Sequence, residues 1–536
     1  MSGFNIADIF ERVAATVPER EAVVAGARRL SYRELDERSN RLANHWRAQG
    51  VEPGSHIAVL AFNRAEWIEA MLAAFKIRAV PININFRYVE DELRYVLDNA
   101  DAVAILYERQ FGPRLAAIRG ALPALRHWLA LEDGHAEAPQ PEGAQDYERA
   151  LAAASPSPLD IERSSDDIYM LYTGGTTGMP KGTLWRHEDI FFGALQGGAP
   201  GGAPIRTPDE IVDRVKNGFV LSSVCPAPLM HGGGMWASLI AVLSGGKIVL
   251  WCEPHFDADR ILQLVQEEKA VSLLLVGDAM ARPIAEAKAR GNHECPGLFV
   301  LSSGGAILSR PVKNRLKELF PGVRILDGFG ASETGHAGAV HDFEGEAAGP
   351  RFTMDPDTQI LDEQLDPLPA GSPGIGRLAR RGYIPLGYYK DPQKTAETFQ
   401  IDRHGVRWVI PGDFARVLAD GTVELLGRGS QCINSGGEKI FPEEVEAVLK
   451  GHPAVYDVVV VGVPDERFTQ AVCAVLQLRE GESITPESIE QYCAGKLARY
   501  KQPRHLVLTG QIPRTPPGKP DYRANRALAL EKLGLS

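Results

Sequence analysis

The sequence predicts an α/β protein: a large N-terminal region of several subdomains on parallel-type sheets, followed by a small α+β domain. Three observations carry this. β-like runs alternate with helical patterns along much of the first 330 residues, as parallel sheet units require. After about residue 373 the pattern changes to short strands and turns that end in TVELLGR, 422–428. The last hundred residues then alternate helix and strand on their own, with a break at Gly429–Ile433. The domains are therefore expected to be 1–430 and 431–536.

Each element has its own signal. Ser31 and Glu34 form a capping-box pattern, and Leu35, Leu42 and Trp46 recur near helical spacing, which predicts a helix over 31–48. HIAVLAF (56–62), a helix at 65–76, AVPINI (79–84), a helix at 90–99 and AVAIL (102–106) make the first alternation. KIVLW (247–251), a helix at 257–269, VSLLLV (271–276), a helix at 279–290, LFVLSS (298–303), a helix at 309–319 and VRILDG (323–328) make the second. The C-terminal unit is read as a helix at 442–450, strands at 455–463 and 471–478, and a helix at 486–498. Segments 132–166 and 197–209, rich in Pro, Gly, Ala and acidic residues, read as surface connections.

Composition excludes several classes. The chain has 536 residues, of which 44 % are apolar and 24 % charged, so it is neither disordered throughout nor a coiled coil. Its formal net charge of −11 gives no general attraction to nucleic acid or anionic lipid, so a phosphate-bearing ligand needs a local cradle. The six cysteines form no C-x-x-C pair, which argues against a zinc site or a disulfide framework. The start lacks a basic n-region, and no apolar run approaches the roughly 18 residues of a membrane helix. A cytoplasmic protein is expected. Glycine is in surplus: 54 of 536 residues is about 10 %, against about 7 % ordinarily.

The chemistry is concentrated in a few strings. Thr173, Gly174, Gly175, Thr176, Thr177 and Gly178, with Lys181, follow the strand-like run IYMLY. Glycines that let backbone N–H groups approach, hydroxyl donors and one cation are a recipe for holding a polyphosphate, although the string is not a Walker A loop. Gly304, Gly305 and Ala306 follow one strand; Asp327, Gly328, Phe329, Gly330, Ser332 and Glu333 follow the next, where α/β folds place ligands. Phe329 can stack on a flat ring, and Glu333 is an oxygen donor suited to Mg²⁺. Asp413 can accept from ribose hydroxyls. Gly427-Arg428-Gly429 leads into Asn434-Ser-Gly436-Gly437-Glu438, and Lys519 sits on a Pro/Gly loop near the C-terminus.

In this order and spacing the strings resemble the adenylate-forming superfamily of acyl-CoA synthetases, adenylation domains and firefly-type luciferases, over about Ile6 to Tyr522. The resemblance implies that the C-terminal domain is mobile and that a carboxylate attacks the α-phosphate of ATP, after which the domain rotates and the thiol of coenzyme A displaces AMP. It assigns residues 173–178 and Lys181 to the phosphates and Glu333 to Mg²⁺. Gly304, Gly305, Ala306 and the 327–332 string go to adenine and its surroundings, and Asp413 and Arg428 to the ribose. Lys519 would bridge the acyl carboxylate and the α-phosphate. Gly436, Gly437 and Glu438 would approach the CoA arm. Gly174 stands where the family usually has Ser, and Gln431 where it usually has a hinge Asp or Lys.

The acid is read from VCPAPLMHGGGMWASLI, 224–240, which is similar to the segment bordering the acyl pocket. It has no carboxylate to pair with an amine, so an amino acid is disfavoured. His231, Gly232, Gly233 and Trp236 are the pocket candidates, the glycines leaving room for a bulky apolar group. NFRYVEDELRY (85–95), IPLGYYKD (384–391), GGEKIFPEEVE (436–446) and GKPDYR (518–523) resemble bacterial synthetases acting on steroid side-chain carboxylates. A steroid side-chain acid is the first expectation and a medium or long fatty acid the second. Loading of a carrier protein instead of CoA stays open. No nucleic-acid partner is expected.

Overall fold

The computed structural model describes residues 3–173, 179–291, 293–306, 308–340, 351–435, 438–465, 469–494, 496–497, 499–515 and 518–535. Its first alternation folds into a five-stranded, wholly parallel sheet. In spatial order the strands are Val80–Asn83, His56–Leu60, Ala102–Glu108, His127–Leu131 and Gln145–Asp146. The second alternation gives the parallel half of a larger sheet: Glu21–Ala25, Lys247–Leu250, Ser222–Cys225, Ser272–Leu275, Val300–Ser303 and Arg324–Ala331. From Arg324–Ala331 onward the sheet becomes antiparallel, through Gly335–Val340 and Arg351–Met354 to Val423–Arg428 and Asp413–Val417.

Local chemistry explains the main helices. In helix Tyr32–Ala48, Ser31 Oγ accepts from the Glu34 N–H at 3.2 Å and Glu34 Oε2 accepts from the Ser31 N–H at 2.7 Å, so the capping box closes both ways. Every residue of helix Ala65–Lys76 is buried. Its charged residues survive there because each is paired: Glu66 with Arg64, Glu69 with Arg38, and Lys76 with both Glu11 and Asp36. Segment 132–166 differs from the expected surface connection. It contains strand Gln145–Asp146 and helix Tyr147–Ala153, whose Tyr147 is buried and donates its hydroxyl to Glu69. Three buried residues in a two-turn helix are too few to produce a readable period.

The C-terminal sheet is built around a long hairpin. Its strands run in the order Glu438–Ile440, Ile433–Ser435, Thr469–Leu478 and Val455–Asp465, with His505–Leu508 parallel to Thr469–Leu478. Strand alternation divides its core. Val458 and Val460 pack with helices Pro442–Leu449 and Pro486–Cys493, while Val459 and Val461 pack toward helix Tyr522–Leu533. The strand ending at Arg428 passes through a single 3₁₀ turn, Gly429–Gln431, into this sheet.

The small domain touches the large one at separated points. The Arg282 guanidinium lies 4.6 Å from the centre of the Tyr456 ring. Phe414 and Phe441 pack with ring centres 5.7 Å apart. A Cβ on Gly518 would lie 3.2 Å from the Cβ of Ala279. Ala279 and Arg282 both belong to helix Gly277–Ala289.

Candidate active site

Antiparallel pairing builds the base of the polyphosphate string. Strand Ile168–Thr173 pairs with Lys181–Arg186, with Thr173 opposite Lys181. Gly182 lets Met170 and Tyr172 pack closely, since a Cβ would fall 2.6 Å from Met170 Sδ and push that side chain aside. Asn83 holds the base in place: its Nδ2 donates to the Tyr172 and Met230 carbonyls at 2.8 and 2.7 Å, and its Oδ1 accepts from the Tyr172 N–H at 2.7 Å. Lys181 Nζ donates to Asp391 Oδ2 at 2.5 Å and lies 5.9 Å from the Tyr388 ring centre. Gly174, Gly175, Thr176, Thr177 and Gly178 lie outside the described residues.

Parallel register brings the next two strings together. Ser303 pairs with Asp327, so Gly304, Gly305 and Ala306 emerge beside Gly328 and Phe329 at the carboxyl ends of their strands. A Cβ on Gly304 would lie 3.6 Å from the Gly328 carbonyl. Gly305 has φ +80° and open space around it. Asp327 is buried, and burial pushes its carboxyl up to about 7, with Asp278 adding to the rise and Lys313 opposing it. Phe329 packs against Phe352 with ring centres 5.1 Å apart. Gly330 allows the hairpin to fold back, because a Cβ would overlap the Gly335 carbonyl oxygen. The Ser332 carbonyl accepts from Trp185 Nε1 at 2.9 Å.

Charges from both domains converge beside these strings. Strands Asp413–Val417 and Val423–Arg428 pair Asp413 with Arg428, and Arg428 Nε donates to Asp413 Oδ1 at 3.2 Å. Tyr388 donates its hydroxyl to Glu333 Oε1 at 2.9 Å. Lys519, 91 positions after Arg428 in the sequence, is partly open at the cleft and lies within reach of the charges of Arg428, Glu333 and Asp413. Crowding by protein lowers its pKa and Arg428 adds to that, whereas Glu333 and Asp413 pull upward.

His231 precedes helix Gly232–Leu243 at its N-cap. Its Nε2 is buried without a hydrogen-bond partner among the described residues. Burial pushes the imidazole down to about 4, with Lys519 and Arg87 adding to the fall, so the ring is neutral at pH 7. The three glycines that follow do different things. Gly233 has open space where a Cβ would stand, and Gly232 faces Leu171 at 3.1 Å and Trp236 at 3.4 Å. Gly234 instead serves packing, since a Cβ would fall 2.6 Å from the Pro228 carbonyl oxygen. Trp236 meets Trp185 edge-on at 6.5 Å. A cavity of about 220 Å³ opens nearby, lined by Phe62, Phe86, Arg87, Pro228, Trp251 and Gly518 among others.

A sequence model described as AMP-binding enzyme matches residues 10–389, and one described as AMP-binding enzyme C-terminal domain matches 444–519. The chain belongs to the AMP-binding enzymes. A 3-oxocholest-4-en-26-oate–CoA ligase of Rhodococcus rhodochrous is 44 % identical to this AMP-binding enzyme over 534 residues, 97 % of this chain and 95 % of the relative. A medium-chain acyl-CoA ligase of Mycobacterium avium is 42 % identical over 99 % of both chains. These relatives are CoA ligases, and this AMP-binding enzyme is of their AMP-forming acyl-CoA ligase class. In fold it is similar to an anthranilate CoA ligase solved with anthranoyl-AMP, with a TM-score of 0.84 at 24 % identity over 99 % of this chain and 98 % of that one.

Some functional candidates of this AMP-binding enzyme fall elsewhere. Gly436 and Gly437 lie outside the described residues, and Glu438 opens strand Glu438–Ile440. Gln431 ends the 3₁₀ turn between the domains, its Oε1 buried without a hydrogen-bond partner among the described residues. Sequence reasoning missed Tyr388, Asp391 and Arg87 as members of the site, although all three lie in quoted strings. Their partners stand far off, Glu333 being 55 positions from Tyr388 and Asp391 210 positions from Lys181, so only register and fold could reveal them.

Proposed function

We propose that this ligase activates a bulky apolar carboxylic acid, first a steroid side-chain acid and second a medium or long fatty acid, as a CoA thioester. The observation that carries the reading is the convergence of Lys519 with Glu333, Asp413, Arg428 and His231. It supplies a cation where a carboxylate and a triphosphate, both anionic, must meet. Coulomb repulsion between them is a large part of the barrier, and preorganised positive charge lowers it. The names of the relatives support the choice of acid, as does the open space at Gly233 and the absence of a carboxylate in 224–240.

In the first step a carboxylate oxygen bonds to the α-phosphorus, the bridging α–β P–O bond breaks, and pyrophosphate leaves. Lys519 bridges the acid and the α-phosphate. Thr173, the 174–178 loop and Lys181 hold the β- and γ-phosphates, Lys181 leaving Asp391 as ATP enters. Gly304, Gly305, Ala306 and the string from Asp327 to Ser332 receive adenine, and Asp413 and Arg428 the ribose. Glu333 is a hard oxygen donor set by Tyr388, which fits Mg²⁺ together with phosphate oxygens; the ion would neutralise phosphate charge. In the second step domain 431–536 turns against 1–430 about Gln431, removing Lys519 from the cleft. Gly436, Gly437 and Glu438 then face the CoA arm, the sulfur bonds to the acyl carbon as the acyl C–O bond to the phosphate breaks, the thiol proton passes to water, and AMP departs. The protein is assigned to the cytoplasm; among the described residues no helix is long and apolar enough to cross a membrane.

The test is incubation with ATP, Mg²⁺, CoA and a panel of steroid, fatty and aromatic acids, with AMP and thioester measured. Steroid and long-chain acids are expected to give both products. AMP without thioester would favour a carrier-protein acceptor, and no AMP with any acid would overturn the reading.

A further inference from the structure

Glu443 has no part in the scheme above, yet it occupies a specific place against the site. It stands in the first turn of helix Pro442–Leu449, in the small domain, and its carboxyl lies on the large domain's strand Val423–Arg428. The fit is close: Gly427 has φ +120°, and a Cβ there would overlap Glu443 Oε2. Only glycine leaves room for the carboxyl. Oε2 is sealed from solvent and has no hydrogen-bond partner among the described residues. The next residue along the strand is Arg428, the partner of Asp413.

The charges around Glu443 come from every element packed on it. Asp413 and Arg428 face it from the large domain. Glu446 stands one turn along its own helix, and Tyr522 approaches from the C-terminal helix. Glu444, on the same turn, is engaged elsewhere with Lys501 at 2.6 Å. Two carboxylates and one guanidinium therefore surround a carboxyl cut off from water. An ionised, unpartnered oxygen costs far more there than a protonated acid does.

We propose that Glu443 is a positioning residue of the adenylation step: as a neutral acid it seats the small domain on Gly427 and Arg428, and its ionisation frees that domain to turn. This rests on the two-step reading of the preceding subsection. Burial, with Glu446 and Asp413, holds the carboxyl up at about 8, against which the backbone N–H groups of Glu443 and Arg428 act only in part. Once the small domain turns away, the carboxyl meets water and returns to the ordinary carboxylate range. The sign follows. The seated arrangement binds one more proton, so lower pH favours it, and its population falls by up to about tenfold per pH unit between the two pKa values. Lys519, carried by the small domain, is positioned in the cleft only in the seated arrangement. Adenylation therefore weakens with rising pH relative to thioester formation from added acyl-adenylate.

The experiment measures acyl-dependent pyrophosphate exchange and thioester formation from preformed acyl-adenylate at pH 6.5 and 8.5, in wild type and Glu443→Gln. The glutamine is a permanently neutral isostere. The ratio of the two rates is expected to fall about tenfold or more in wild type across this range, and less than twofold in Glu443→Gln. Equal pH slopes in the two proteins would overturn the proposal. X-ray scattering of the same proteins, without substrates, gives a reading independent of activity. Wild type is expected to expand at pH 8.5, and Glu443→Gln to keep its pH 6.5 dimensions. The same expansion in both would also overturn it. A chain that makes no acyl-adenylate from any acid would instead remove the two-step reading, with scattering still deciding whether Glu443 seats the domain.

Discussion

Asp413 and Arg428 face each other across neighbouring antiparallel strands and are joined by a hydrogen bond of 3.2 Å from Arg428 Nε to Asp413 Oδ1. Asp413 is almost fully buried and Arg428 is half open to the cleft. The pair presents a fixed acceptor and a fixed cation at the mouth of the proposed nucleotide site. Asp413→Ala leaves the guanidinium without its partner, and loss of a charged hydrogen bond costs about 1.5–3 kcal/mol. A rise in the KM for ATP of roughly ten- to a hundredfold is expected. Pyrophosphate exchange against ATP concentration checks this, and an unchanged KM would remove Asp413 from the site.

Lys519→Ala separates the two steps. It removes the cation expected between acid and α-phosphate, where a single preorganised donor is worth about 10²–10³ in rate. Acyl-adenylate formation is expected to fall by that factor. Thioester formation from supplied acyl-adenylate is expected to stay within a few-fold of wild type, because the lysine has left the cleft by then. Equal loss in both steps would contradict the role.

Tyr388→Phe removes one hydrogen bond, the 2.9 Å contact that orients Glu333. At about 1 kcal/mol the cost is roughly fivefold. The expected outcome is a fivefold higher Mg²⁺ requirement at fixed ATP, with little change at saturating metal. A metal dependence identical to wild type would detach Glu333 from the metal.

Gln431→Pro tests the hinge. Proline fixes φ near −65° and removes an N–H donor, so one domain arrangement is retained. Pyrophosphate exchange is expected to persist while overall thioester production falls at least tenfold. Thioester formation at the wild-type rate would show that the turn lies elsewhere.

Gly233 and Gly234 give a contrast within one motif. Gly233→Leu fills open space and is expected to shift preference from long or bulky acids toward short ones, without loss of stability. Gly234→Ala drives a methyl against the Pro228 carbonyl and is expected to lower the melting temperature by several degrees, with the acid preference unchanged.

These neighbours also mark where sequence reading stops. Helix Ala65–Lys76 and the strands at 56–60 and 102–108 were legible because their apolar runs are long and bounded by turns. Helix Tyr147–Ala153 was not, since it is short and follows a Pro-rich stretch. The ligand strings were legible as glycine, hydroxyl and cation in order. The division of labour inside them was not: nothing local separates Gly233, facing space, from Gly234, facing a carbonyl. Pairings such as Tyr388 with Glu333 or Lys181 with Asp391 depend on strand register between distant segments. Glu443 was passed over because its neighbour Gly427 belongs to the other domain.

The small domain rests on Ala279, Arg282, Gly427 and Phe414, through Gly518, Tyr456, Glu443 and Phe441. Two of these supports, Ala279 and Arg282, stand on one helix, so that edge is held by Gly518 and Tyr456 together. Loss of the Tyr456 ring, distant in sequence from every residue proposed to bind phosphate, would loosen the small domain along helix Gly277–Ala289, where Gly518 anchors the lysine loop. Its mark would be reduced fidelity of timing: acyl-adenylate escaping to water before CoA arrives, with more ATP consumed per thioester made.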